Sequence, residues 1–220
     1  MLKLFNKHKK KLPDYWLDYT AALQGKNPVE IQDTTFIVLD TETTGFDYKT
    51  DRILCIGAVT LKNNIIDVSN TFEVYIKQEK FNPESVKIHG LLHNENFETI
   101  SEEQAIEKFL RYAGNSVIVA HHAYFDITMI DNAMKRLGLP GLKNKVLDTG
   151  VLYRASRITS NLIDKEKRYT LDEIAETLSI DVSDRHTAAG DAFITAIAFL
   201  KICNRLNKNL DLKLKDLFKF

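Results

Sequence analysis

Asp40 and Glu42 stand two residues apart at the end of a β-branched and apolar run, TTFIVLDTE. In an extended strand that spacing puts both carboxylates on one face. Two carboxylates side by side repel each other in a low-dielectric setting. A fold that gathers them needs a cation between them, and hard oxygen ligands suit Mg²⁺ or Mn²⁺. Alone, the pair fits a solvated strand end more readily than a metal site. Asp126 follows SVIVAHHAYF, so it falls just beyond a second buried strand and in the first turn of the next helix. Ligands gather at such positions in α/β sheets, although a helix dipole alone also favours an acid there. Asp191 lies one turn into the apolar helix HTAAGDAFITAIAFL. A charge among Ala, Phe and Ile is costly unless it is paired or metal-bound. His186 comes five residues earlier, at or before the helix start. Four carboxylates and one histidine, all near strand ends or helix starts, fit a hydrolase that uses two divalent ions. Two ions about 3.5–4 Å apart clamp the attacking and leaving oxygens of an in-line displacement at phosphorus. The imidazole of His186 then suits proton uptake from the attacking water.

The elements that must position these groups are legible from hydrophobic periodicity. TTFIVLDTE, RILCIGAVTL, IIDVSNTFEVYI, SVIVA and KVLDT read as five strands, with Asn63–Asn64 as a hairpin turn between the second and third. Ser101 with Gln104, and Thr170 with Glu173, have capping-box spacing and open two helices. Tyr124 to Leu137 is a third helix, stopped by Gly138 and Pro140, and Thr187 to Leu206 is a long apolar fourth. Three consecutive strands followed by strands alternating with helices predict an α/β protein, a mixed five-stranded sheet flanked by helices. We place the main domain at 34–206. Residues 1–33 form a basic segment (Lys3, Lys7, Lys9, Lys10, Lys11) and a short docked helix carrying Tyr15, Trp16, Tyr19 and Leu23. Residues 207–220 form a C-terminal tail. The polar stretch SRITSNLIDKEKR is the expected mobile loop.

Composition excludes several classes. With 220 residues and 44% apolar content the chain can bury a full core without staples. Thirty basic and thirty acidic side chains give zero formal charge, so any basic footprint for nucleic acid must be local. Cys55 and Cys203 are far apart and outside any CxxC pattern, which fits a reducing compartment rather than a disulfide framework. No apolar run approaches the roughly 18 residues of a membrane span, and no apolar core follows the basic start. A cytoplasmic protein is the expectation.

VLDTETTG (38–45), AHHAYFD (120–126) and HTAAGD (186–191) resemble, in order, the three motifs of the DEDD 3′–5′ exonucleases. The five-residue step from His186 to Asp191 is that of the DEDDh branch. IHGL (88–91) resembles a loop of its epsilon-type proofreading members, and LDTGVLYR (147–154) and RYTLDEIAETL (168–178) fall in the same order. The resemblance covers residues 34–205. It implies a ribonuclease H-like fold, with Asp40, Glu42, Asp126 and Asp191 as ligands of two Mg²⁺ or Mn²⁺ ions and His186 as general base. It also implies that Thr43, Thr44 and Gly45 bring backbone to the terminal nucleotide and that His89 and Gly90 line its pocket. Where relatives have Asn after the first His of the second motif, this chain has His122, on the substrate side of the site.

The implied reaction removes nucleoside monophosphates from single-stranded or frayed 3′ ends of DNA, in proofreading or repair. Competing readings are an RNA-trimming relative of the same branch and a non-catalytic nucleic-acid-binding module. Retention of all five site residues argues against the last. For a protein partner, a DNA polymerase or a sliding clamp is the expectation. LKDLF (214–218) partly resembles clamp-binding peptides ending in Leu-Phe, without their glutamine. Its alternative is an amphipathic end that packs on its own domain.

Overall fold

A computed structural model describes residues 11–25, 28–78, 98–157, 167–207 and 211–220. The lysines at 3, 7, 9 and 10, together with His89 and Gly90 of the expected nucleotide pocket, lie outside these. So does most of the stretch expected to be a mobile loop.

The chain runs α1 (Asp14–Ala22), β1 (Phe36–Thr43), β2 (Ile53–Lys62), β3 (Ile65–Ile76), β4 (Thr99–Ile100), α2 (Glu102–Ala113) and β5 (Val117–Ala120). It continues through α3 (Tyr124–Arg136), β6 (Val146–Asp148), α4 (Thr149–Ser156), α5 (Leu171–Leu178), α6 (Ala188–Leu206) and α7 (Leu214–Leu217). The mixed sheet flanked by helices is as expected, but it has six strands, in the order β4-β3-β2-β1-β5-β6. The sixth is the two-residue β4, parallel to the end of β3. No periodicity can announce a strand that short. β1 is antiparallel to β2 and parallel to β5, and β5 is parallel to β6. Asn63 and Asn64 both have positive φ, as a tight hairpin with right-handed strand twist requires. Both capping boxes form: Ser101 with Gln104, and Thr170 with Glu173.

Alternation along β1 divides the interior into two cores. Ile37 and Leu39 join α1, α2 and α3 on one face, where Trp16, Phe109 and Ile130 are buried. Phe36 and Val38 join α4, α5, α6 and α7 on the other, where Tyr153, Ile174 and Phe199 are buried. Leu214 and Leu217 of α7 are buried in this second core, the Leu214 amide donates to the Val29 carbonyl (3.1 Å), and Lys213 pairs with Glu30 (2.7 Å). The leucines of LKDLF are thus committed to their own domain, the alternative to a free clamp-binding peptide.

The close seating of α6 depends on Gly57. This residue pairs across the ladder with Asp40, and a Cβ built on it would lie 2.2 Å from the Ala188 carbonyl carbon. Only glycine lets the first turn of α6 touch the sheet beside Asp40. Gly57→Ala must push α6 away, so we expect a loss of about 3 kcal/mol by urea denaturation. Unchanged stability would mean that the helix rests on the sheet elsewhere.

Candidate active site

The alternation that builds the two cores also aims the carboxylates. Asp40 and Glu42 continue the Phe36–Val38 side of β1, toward α6. Thr41 continues the Ile37–Leu39 side, toward α3. Asp191, in the first turn of α6, therefore meets Asp40 and Glu42, and one carboxylate oxygen from each lies within 4.8 Å of the others. Asp126, in the first turn of α3, arrives from the opposite layer, where its Oδ1 accepts from the Thr41 amide (3.0 Å) and hydroxyl (2.7 Å). Both Asp126 and Asp191 are buried.

Crowding and withdrawal from water act in the same direction. Burial, then the charges of Asp126, Asp191 and Glu42, raise the Asp40 carboxyl well above the usual range. Burial and the neighbouring Asp191 raise Glu42 to about 7. Burial raises Asp126 to about 7, against the lowering effect of the Thr41 hydrogen bonds. A set of all-oxygen donors that resists ionising until a positive charge arrives fits a hard divalent cation. Arg185 supplies part of that charge, since its Nη1 donates to Asp191 Oδ2.

These groups line one cleft of about 740 Å³ at the carboxyl end of β1, and His186, His122 and Asp148 line it too. His186 has φ +69°, the left-handed region, at the turn into α6, which Thr187 caps by accepting from the Gly190 amide. His122 also has positive φ and rests against His121 with ring centres 4.2 Å apart. His121 is held by Thr149 Oγ1 (3.0 Å), and its Nε2 is the one buried side-chain polar atom without a hydrogen-bond partner among the described residues. Burial, then the neighbouring His122, lowers the His121 ring to about 4, so it is neutral at physiological pH.

Thr43, Thr44 and Gly45, expected to bring backbone to the terminal nucleotide, lie at the end of β1 and in the turn after it, between Glu42 and Phe46, which both line the cleft. The Thr43 hydroxyl donates to the Gly45 carbonyl (2.8 Å) and that of Thr44 to Asp51 (2.8 Å), which fixes the turn after β1 from beneath. The turn also presents Phe46, 78% exposed, to the cleft. Phe46 begins a chain of rings through Phe125 (5.8 Å), Tyr48 (5.6 Å) and Tyr124 (5.7 Å), the last 73% exposed. Arg154, Lys167 and Arg168 also line the cleft. The sequence does not single out these groups, nor Asp148 and Arg185, because they converge from helices, a strand end and loops far apart along the chain. Asp148 alone left a signal, an acid before Thr-Gly at a strand end. It caps α4 by accepting from Gly150 N (2.8 Å) and ties in the start of α3 by accepting from Ala123 N (2.9 Å).

A mixed sheet with a cluster of acids at the carboxyl end of its central strand defines a class of nucleic-acid hydrolases. The exonuclease family (RNase_T) matches residues 37–199, and the chain belongs to that family. Among curated proteins it is 35% identical over 174 residues to a PolC-type DNA polymerase III of Caldanaerobacter subterraneus, covering 79% of this chain but only 12% of that polymerase. It is 30% identical over 175 residues to the DNA polymerase III epsilon subunit of Aquifex aeolicus, covering 79% of this chain and 83% of that subunit. Among solved structures, E. coli exonuclease I with a dT13 oligonucleotide has a TM-score of 0.68 at 18% identity, over 81% of this chain and 43% of that one. Exonuclease X with 5′-overhanging duplex DNA has a TM-score of 0.59 at 23% identity, over 77% and 91%. At such identities these two establish the fold. Among the described residues, no helix is long and apolar enough to cross a membrane.

Proposed function

We propose that the chain is a DNA 3′–5′ exonuclease that removes nucleoside monophosphates, serves proofreading or repair, and works in the cytoplasm. The observation that carries the reading is the convergence of Asp40, Glu42, Asp126, Asp191 and His186 on one cleft. Asp40, Glu42 and Asp191, with Asp126 from the opposite layer, would hold two divalent ions, Mg²⁺ or Mn²⁺. When bound, such ions neutralise charge that develops on the phosphoryl group. The chain's own residues do the rest. Thr41 orients Asp126. An imidazole nitrogen of His186 takes a proton from the attacking water. Phe46, Tyr48 and Tyr124 offer faces for unstacked bases, and Arg154, Lys167 and Arg168 offer charge to phosphates. Stacking needs bases freed from a duplex, which supports single-stranded or frayed ends as substrate. The likeness to polymerase subunits supports a DNA polymerase as partner.

End-labelled oligonucleotides test the direction. We expect a 5′-labelled single strand to shorten stepwise from its 3′ end in Mn²⁺, faster than a blunt duplex. A 3′-blocked strand or a circular single strand should resist. Cleavage of the circle would overturn the reading, and faster loss of matched RNA would move it to the RNA-trimming branch.

A further inference from the structure

Arg185 has no part in the mechanism above, yet among the described residues it is the cation ion-paired with a carboxylate of the cluster. Its guanidinium is engaged on two sides. Nε and Nη2 donate to the two oxygens of Asp172, at 2.7 and 3.2 Å, and Nη1 donates to Asp191 Oδ2. The arginine side chain is only 16% exposed. Asp172 lies in the first turn of α5, outside the cleft, and Asp191 in the first turn of α6, inside it. The planar fork therefore spans two helices and fixes one oxygen of Asp191. Such bidentate pairing sets orientation as well as energy.

The same side chain anchors the turn that carries His186. Arg185 is its immediate neighbour, and the Arg185 amide donates to the Val182 carbonyl (3.2 Å). His186 itself sits in the left-handed region, which a non-glycine residue rarely adopts. Surroundings must hold such a residue in place. The turn is pressed onto α6: a Cβ on Gly190 would lie 2.0 Å from the Asp184 carbonyl oxygen, and the Thr187 hydroxyl donates to that oxygen (3.1 Å). The His186 amide points at Asp191 Oδ1 (3.4 Å). Arg185 is the only side chain among those described that ties this turn to α5 by an ion pair.

We propose that Arg185 is a positioning residue: braced by Asp172, it fixes the Asp191 carboxylate and the His186 turn in one arrangement. This rests on the reading of Asp191 as a cation ligand. It makes a prediction opposite in sign to simple electrostatics. A positive charge beside a cation site repels the cation, so through-space effects alone predict that Arg185→Gln binds Mn²⁺ more tightly. Positioning predicts weaker binding, because Asp191 is freed to rotate away. Partners of ligating carboxylates typically contribute 10–100-fold in affinity.

The experiment is calorimetric titration of the full chain with Mn²⁺ alone, backed by the spin-resonance signal of free Mn²⁺. Wild type, Asp40→Ala, Arg185→Gln and Arg185→Lys are compared, each after a thermal melt to confirm folding. We expect Arg185→Gln to bind about 10-fold more weakly than wild type. Arg185→Lys, which keeps the charge but lacks the fork, should also weaken binding, by a smaller factor. Equal or tighter binding in Arg185→Gln overturns the proposal while leaving the site intact. If that variant does not fold, wild-type affinity in Arg185→Lys overturns it instead. A wild type that binds no Mn²⁺, or an Asp40→Ala that binds like wild type, overturns the reading of the site and the proposal with it.

Discussion

Asp40→Ala is expected to lose at least about 10³-fold in turnover on a single-stranded substrate and yet to melt higher than wild type in the presence of a chelator. The loss follows from removing a carboxylate that all the others face, which forfeits several kcal/mol of transition-state charge stabilisation. The gain follows from relieving repulsion. Asp40 lies well above the ordinary carboxylate range, and Glu42 and Asp126 reach about 7. A raised carboxyl means that the folded chain holds a proton that the unfolded chain has released. These groups therefore favour folding near pH 4, and that contribution fades as the pH climbs through 7. In chelator, the wild-type melting temperature should fall between pH 5 and pH 7.5, and Asp40→Ala should fall less. Asp126→Ala should lose activity without the gain in stability. Its Oδ1 satisfies the buried Thr41 amide and hydroxyl, and stranding them costs about 1–3 kcal/mol. Near-normal turnover in Asp40→Ala would remove the carboxylate cluster from the chemistry.

His186→Ala is expected to keep Mn²⁺ affinity near wild type and to lose about 10²–10⁴-fold in turnover, the usual size of general-base assistance. His186 lines the cleft but is not among the three residues whose carboxylate oxygens cluster, so its removal leaves those donors in place. The variant thus separates proton transfer from cation binding, which no carboxylate variant does. Turnover within a few-fold of wild type at saturating Mn²⁺ would exclude His186 as the base. A large fall in Mn²⁺ affinity would instead make it part of the cation site.

Much of this was legible in the residues because it rests on local rules. Both capping boxes, the Asn63–Asn64 hairpin and the four helices read in the main domain follow from spacing and turn chemistry within a few positions. The DxE spacing placed Asp40 and Glu42 on one face for the same reason. What stayed hidden depends on contacts distant in sequence. α4 begins directly after β6, with Gly150 in its first turn, so nothing separates strand from helix except the Asp148 cap. The clasp of Arg185 on Asp172 joins the turn before α6 to α5 across thirteen positions. The rings of Phe46 and Tyr124 meet through Phe125 and Tyr48, which no periodicity connects. The motif placed Thr43 and Thr44 by their backbone alone, and the inward bonds of their hydroxyls, which brace the turn from within, are a tertiary detail that spacing does not carry.

The way β1 deals its residues alternately to two layers also fixes what mutation can do to this gene. Thr41 reaches Asp126 on one side while Asp40 stands beside Gly57 and the foot of α6 on the other. Loss or gain of a single codon between Phe36 and Asp40 would exchange the two sides. Both acids would then turn into the α3 layer, and Thr41 would face Asp191. Substitutions along the strand can be absorbed one at a time by repacking, but a change in its length cannot. The segment should therefore vary in spelling and never in count.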